Sequence, residues 1–537
     1  MYAVQNAYER LRVNNRLTPE ICSEIWKEAS EGDQVQTFQL SSLATQIVLA
    51  ERNESETDLI NKIFSSQPEI GALLTTCLSE RLNGTSAQQG PVDDLYARVL
   101  INTYLQQTVG RADFNAVIDQ LVNDKLNLNF LASWLMLICH KPLKEDDLNH
   151  FILALRDSGP IYDYRDSAEL NNAKTLRRYP TGALSEKISL IMPSIMSAIA
   201  QDYNIVSPFL VGRALSFTGG TWDKFKAIPG FEFPLPGDDS IRAMKECSIA
   251  MTVTKGDYNP ADRKLYQFRS LTGTVPSHDL IVASIASKML ACPADHLLMD
   301  VRYGAGAFLP DLESANKLGK ALVKVLGDNN CPCSYIPVST DWPNGRAIGH
   351  CFEVMEAVAI MSRNPGDIWD PNIMQVQEDL TLKFFSGLMN SQFPDKSLEE
   401  WTEVGRKLFD SGLVMESFLR LLKAHRVEDS VIEGIRNDPW QTLAPKTTPI
   451  IVKAPNGGHI KGVDQKKLGN LVNFKFGAGA NEFGGSFTAK SGIILQKLLG
   501  DNVESGEVLA KLFINEQFVD KFDESSIIEE FLSCFEI

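Results

Sequence analysis

No apolar run in this 537-residue chain reaches the ~18 residues that a membrane-spanning helix requires. The first residues, Met1-Tyr2-Ala3-Val4-Gln5-Asn6, lack the basic start and apolar core of a signal peptide, so a cytoplasmic protein without a membrane partner is expected. Histidines are few, seven in all, and none are paired at metal-binding spacing, so neither a metal site nor a cofactor is expected. The nine cysteines are odd in number and form no repeating framework, as in a reducing compartment. The close pair Cys331-Pro332-Cys333 reads as a loop before a short strand near Tyr335–Val338. Basic residues are outnumbered 52 to 68, giving a net charge of −16. That field argues against nucleic acid as a partner, and an anionic substrate would need a local basic pocket.

The remaining composition is that of a globular protein, with 44% hydrophobic residues and a mean hydropathy of −0.11. The length exceeds what one hydrophobic core supports, so two or three domains are expected. Residues 1–91 read as a helical extension, with Leu40, Leu43 and Ile47 at helical spacing and a polar, breaker-rich linker over 83–91. Helical patterns continue through Leu131–Cys139 and Leu148–Leu155. After Thr181, helices at Ile188–Ala200 and Glu313–Leu326 alternate with strands at Ile205–Val211, His296–Val301 and Ser334–Val338, the pattern of a parallel sheet. Gly319 is the weak point of the second helix. From about residue 445 the chain turns strand- and glycine-rich, with Gly477-Ala478-Gly479 and Gly484-Gly485.

One ordered series of motifs occupies the middle of the chain. Thr218-Gly219-Gly220-Thr221-Trp222-Asp223-Lys224 is followed by Ile228-Pro229-Gly230-Phe231, then by Pro260-Ala261-Asp262 leading to Tyr266 and Arg269. Ala283-Ser284-Ile285-Ala286-Ser287-Lys288 comes next, and later Gly345-Arg346-Ala347-Ile348-Gly349-His350 leads to Glu353 and Glu356. In that order the series resembles the thymidine and pyrimidine nucleoside phosphorylases, over roughly residues 93–520. The resemblance implies a small helical domain hinged to a large α/β domain, of the phosphoribosyltransferase-like class, with the site in the cleft between them. On that plan the helical domain spans 92–165 with 261–291. The α/β core spans 166–260 with 292–440, and 441–537 forms its strand-rich end.

Ser284 and Lys288 lie four residues apart, on one face of a helix over Asp279–Leu290. Arginine and lysine donate, a hydroxyl donates or accepts, and an aromatic ring offers a face, which suits a pyrimidine. The resemblance implies that Tyr266, Arg269, Ser284 and Lys288 hold the base. Arg269 and Lys288 would also stabilise charge on it as the glycosidic bond breaks.

Glycine loops at Thr181-Gly182 and Gly219-Gly220-Thr221 suit an anion, since backbone N–H groups approach closely there. The family has Lys-His-Ser-Thr-Gly-Gly where this chain has Arg178-Tyr179-Pro180-Thr181-Gly182-Ala183. Arg178 remains a cation, and Ser189 and Thr221 keep hydroxyls at matching positions. Tyr179 replaces the histidine, Pro180 and Val211 replace serines, and Arg178 and Tyr179 are thereby the candidate catalytic pair. Lys187 stands where some relatives keep a smaller residue beside a cation, so its ammonium is expected near Glu353.

Two readings follow. One is a glycosyltransferase acting on the N-glycosidic bond of a pyrimidine nucleoside or nucleotide, with a remodelled phosphate site. The other is an inactive binding or interaction protein. The acidic tail Asp523–Phe531 also resembles the C-terminal signals of effectors delivered into host cells by type IV secretion. The family generally dimerises through its helical domain. The apolar extension would pack there, so a monomer or a differently built homodimer is expected.

Overall fold

Helical spacing in the first eighty residues becomes five helices, Tyr2–Arg12, Pro19–Glu31, Thr37–Leu49, Glu54–Ser66 and Pro68–Asn83. In this computed structural model the described residues are 2–13, 15–31, 35–50, 52–83, 94–213, 217–253, 257–341, 343–478, 489–515 and 523–537. Most of the expected linker over 83–91 lies outside them, as do Gly479, Gly484 and Gly485. The chain divides into two compact units, Met1–Ile161 with Gly256–Cys292, and Tyr162–Lys255 with Pro293–Ile537. Among the described residues no helix is long and apolar enough to cross a membrane.

Among the described residues, the regular elements of the first unit are all helices. Thr37–Leu49 runs through its middle with every residue from Gln39 to Leu49 buried. Small side chains let it approach the Leu128–His140 helix, where Ser41 Oγ lies 2.8 Å from Ser133 Oγ and donates to the Asn129 carbonyl at 3.0 Å. These bonds satisfy hydroxyls that burial would otherwise leave costly. The chain returns to this unit as the Pro260–Leu271 and His278–Ala291 helices. Pro260 occupies the first turn of its helix, where a missing N–H costs nothing.

The second unit is built on five parallel strands: β1 (Lys174–Pro180), β2 (Ile205–Val211), β3 (Ile249–Val253), β4 (His296–Tyr303) and β5 (Cys333–Ser339). Their order is β3-β2-β1-β4-β5, so the connections leave β1 and β4 in opposite directions and make a topological switch point between them. The loop after β1, carrying Thr181 and Gly182, lies at that point. Strands and helices expected after Thr181 form with small shifts at their ends, the Ile188–Tyr203 helix included despite Pro193. Gly319 serves packing: a Cβ there would collide with the Tyr335 ring of β5, so the glycine brings its helix onto the sheet.

The strand-rich end forms a four-stranded antiparallel sheet of Ala347–Ile348, Gly492–Leu495, Val508–Phe513 and Ile450–Lys453. The tail is folded against it. Glu524–Leu532 is helical, Ile527 and Phe531 are buried with Leu471 and Val472, and Phe535–Glu536 pairs with Gly462–Val463.

Candidate active site

The first unit gathers a cation, a carboxylate, a hydroxyl and an aromatic ring. On the His278–Ala291 helix, one turn separates Ser284 from Lys288, and Lys288 Nζ donates to Ser284 Oγ at 2.7 Å. The same ammonium donates to Asp262 Oδ2 at 2.6 Å and sits 6.0 Å from the centre of the Tyr266 ring. Asp262 and Tyr266 belong to the Pro260–Leu271 helix, four residues apart and so on one face. Two of the three ammonium donors are engaged, which leaves one for a ligand. Tyr266 is 37% exposed.

Arg269 faces elsewhere. Its guanidinium is buried and donates to the carbonyls of Thr274 at 3.4 Å, Val275 at 2.7 Å and Leu280 at 2.9 Å. Burial lowers its pKa from the ordinary arginine value, opposed chiefly by the Asp262 carboxylate. It ties the turn after its own helix to the next helix. Asp262 is the member that sequence reasoning passed over. It stood inside the quoted Pro260-Ala261-Asp262 motif, but nothing in the sequence assigned it a partner.

In the second unit both glycine loops sit at the carboxyl ends of strands. Thr181 N donates to the Asp300 carbonyl at 2.9 Å, and its Oγ1 accepts from Arg302 N at 2.9 Å. Gly182 has φ +93°, a conformation that favours glycine. Gly220 N donates to Asp223 Oδ2 at 3.1 Å, which caps the short Thr221–Lys226 helix. Gly219 lies against a neighbour, since a Cβ there would stand 2.9 Å from His350 Cε1. His350 is itself fixed by a 2.8 Å contact between Nε2 and the Ala478 carbonyl.

Beneath these loops is a buried ionic network. Arg178 pairs with Asp300 and, at 2.9 Å, with Glu186 Oε1, while Arg302 Nη2 pairs with Asp300 Oδ2 at 2.6 Å. Ser189 Oγ donates to Glu186 Oε2 at 2.6 Å and accepts from Arg178 Nη1 at 3.1 Å. Arg178 also stacks on Phe384, 4.7 Å from the ring centre. Burial by itself would push the Glu186 carboxyl up, but the charges of Arg178, Lys224 and Arg302 hold it well below the usual carboxylate range. Arg178 and Ser189 are thus engaged with carboxylates inside the unit. Tyr179 follows on β1, half-buried and, by strand alternation, on the opposite face from Arg178. Pro180 ends the strand opposite Asp300, and Val211 is buried at the end of β2.

Lys187 departs from its expected partner. Its ammonium is buried and pairs with Glu356 Oε2 at 3.0 Å, donating also to the Ser185 hydroxyl at 2.5 Å and the Asn344 carbonyl at 2.6 Å. Glu353 pairs instead with Lys224 Nζ at 2.9 Å. The two glutamates are three residues apart on the His350–Ser362 helix, so one cation reaches each. Among the described residues no cluster of histidine, cysteine and carboxylate side chains forms a metal site.

A five-stranded parallel sheet thus carries glycine loops at the carboxyl ends of β1 and β2, in a chain with a separate helical unit. The glycosyl transferase family, a/b domain, matches residues 183–362. The chain is 30% identical over 406 residues to a pyrimidine-nucleoside phosphorylase of Staphylococcus aureus (strain USA300), covering 74% of this chain and 88% of that protein. It is 29% identical over 430 residues to that of Staphylococcus aureus (strain bovine RF122 / ET3-1), covering 79% and 94%. The chain belongs to the pyrimidine-nucleoside phosphorylase family. Anthranilate phosphoribosyltransferase from Thermus thermophilus superposes on 61% of this chain and 99% of its own at a TM-score of 0.44 and 14% identity.

Proposed function

We propose that this protein is a cytoplasmic pentosyltransferase that makes or breaks the N-glycosidic bond of a pyrimidine nucleoside or nucleotide, with an anionic oxygen as the other partner. The observation that carries the reading is the Lys288 cluster, an ammonium aimed by Asp262 and Ser284 beside the Tyr266 ring. When the bond from C1′ to the base breaks, its electron pair goes to the base, and a carbonyl oxygen there gains negative charge. A fixed ammonium donor favours that charge over the neutral ground state, which is how such a group lowers a barrier. The acceptor oxygen forms the new bond to C1′. We assign the anion to Thr181, Gly182, Gly219, Gly220 and Thr221, with Arg178 and Ser189 supporting the loop from below.

Calorimetric titration with uracil, thymine, uridine and UMP tests the reading, comparing the natural protein with Lys288→Ala. Loss of one charge-assisted bond should weaken base binding about 10- to 100-fold. No binding of any of the four ligands, or a variant that binds as well as its parent, would sink the proposal.

A second reading is favoured by one specific feature: Arg178 and Ser189 are taken up by Glu186 and Asp300. A site with so few available donors suits a protein that binds a base without transferring a sugar. Assays with phosphate, arsenate and water as acceptors separate the two, since cleavage above background with any of them excludes the inert protein.

A further inference from the structure

The Pro260–Leu271 helix carries Asp262, Tyr266 and Arg269; the turn after it bonds the Phe268 and Arg269 carbonyls, and those of Leu271 and Thr272 come next. They are met from the N-terminal helices. Gln39 Nε2 donates to the Leu271 carbonyl at 3.2 Å, and Gln5 Nε2 reaches the same oxygen at 3.3 Å. Ser42 Oγ donates to the Thr272 carbonyl at 2.8 Å. One turn earlier, Phe38 lies on Phe268 with ring centres 4.6 Å apart. Gly273 follows with φ +70°, and a Cβ there would meet Tyr8 Cγ at 2.5 Å, so the turn closes directly on the Tyr8 ring. Tyr8 is in turn held by its hydroxyl, which donates to the Gln39 carbonyl at 2.8 Å.

The turn held in this way supplies two of the three carbonyls that bind Arg269, those of Thr274 and Val275. Thr272 and Thr274 also share a hydroxyl contact at 3.1 Å. A continuous set of contacts therefore runs from the Thr37–Leu49 helix through the turn to Arg269 and back along its helix to Tyr266 and Asp262.

We infer that Gln39 and Ser42 are positioning residues of the base site: they act as the C-cap of the helix that presents Asp262 and Tyr266 to Lys288. The inference rests on the base-binding reading proposed above. A helix end without its cap frays through its last turn, and Tyr266 lies five residues from the end. Fraying there moves the aromatic face and slackens the hold of Asp262 on the ammonium. The N-terminal helices thus belong to the site without touching a ligand.

The test uses the full chain as Ser42→Ala, as Gln39→Ala with Ser42→Ala, and as Ser42→Thr, which restores a hydroxyl. Hydrogen exchange over 264–275 reads the cap, calorimetry with uracil and thymine reads the base, and thermal unfolding reads global stability. Expected is faster exchange over 264–275 and base affinity about five- to tenfold weaker in the double variant. Ser42→Ala should lie between, Ser42→Thr should recover most of the loss, and exchange over 128–140 should be unchanged. If the double variant melts too early to titrate, the single variant carries the same measurement. A natural protein that binds no pyrimidine base sinks the base-binding reading and this inference with it. One that binds, while Ser42→Ala and the double variant bind equally well, overturns the inference alone. Faster exchange spread evenly over the first unit also overturns it, because that marks a purely structural role.

Discussion

Replacing Arg178 with methionine decides whether this residue supports the glycine loop or binds the anion. The substitution keeps an unbranched apolar stem over Phe384 and removes the guanidinium from a position 2% exposed. Asp300 keeps Arg302 at 2.6 Å, and Glu186 keeps the Ser189 amide at 3.1 Å and hydroxyl at 2.6 Å. Glu186 would otherwise have only Arg302, 3.8 Å away, and Lys224 to balance its charge. Removing one partner of a buried pair costs about 3–5 kcal/mol, and the contacts that remain put this case near the lower end. For a unit of this size that is a fall in unfolding temperature of about 4–6 °C. Phosphate affinity, measured by titration where the variant is folded, should change by less than about threefold. Differential scanning calorimetry and phosphate titration on the same samples read both quantities. A variant as stable as its parent that has lost phosphate binding would refute the reasoning, because it would put the guanidinium on the ligand.

Two further outcomes follow from other buried groups. His425 Nε2 accepts from Met251 N at 3.0 Å, so Nδ1 carries the proton and donates to the Leu421 carbonyl at 2.8 Å. Burial pushes this imidazole from 6.5 down to about 4, so the unfolded chain takes a proton first as pH falls. Its stabilising contribution is complete above pH 6.5 and is lost between there and about pH 4, some ~3 kcal/mol in all. Denaturant titrations at pH 7 and pH 4.5 check it: His425→Gln should show a shallower pH dependence, and an unchanged one is the contrary result. Lys187→Met strips the buried Glu356 of its cation, leaving only the amides of Arg346 and Ala347 at 2.8 and 3.0 Å. A loss of about 3 kcal/mol in urea unfolding is expected, and less than about 1 kcal/mol would mean that the pair is not a tight one.

The pairing of Ser284 with Lys288 was legible because the two residues are local. They lie one helical turn apart, so periodicity alone places them on one face, whereas the partner that Asp262 finds in Lys288 lies on another helix and left no such trace. Strand–helix alternation likewise exposed the parallel sheet. The surroundings of Arg178 were not legible. They come from β4, from the loop before the Ile188–Tyr203 helix, and from Phe384 on the Pro371–Asn390 helix. Which carboxylate meets which cation there depends on tertiary packing, and local spacing carries no trace of it. The exchange of partners between Lys187 and Lys224 has the same origin. Glu353 and Glu356 are equally acidic in sequence, and only the path of the backbone decides which ammonium reaches which.

The two units use their cations in contrary ways. Lys288 faces one carboxylate, is 17% exposed along its side chain, and keeps a donor for a ligand. Beneath the glycine loops the ion-paired cations are Arg178, Arg302, Lys187 and Lys224, and they meet Asp300, Glu186, Glu356 and Glu353. Four positive and four negative charges cancel, so this network offers an incoming dianion no net attraction. With Thr181 N bonded to the Asp300 carbonyl and Gly220 N to Asp223, the described loop residues offer an anion their other N–H groups and threonine hydroxyls, neutral donors roughly half as strong as charge-assisted ones. Affinity for free phosphate should therefore be low, and weakly dependent on salt, because these paired groups carry no excess charge to be screened. A ligand that fills such a site well must draw most of its binding free energy from elsewhere in the molecule. On the proposed function, the base is the part of a nucleoside or nucleotide that can supply it.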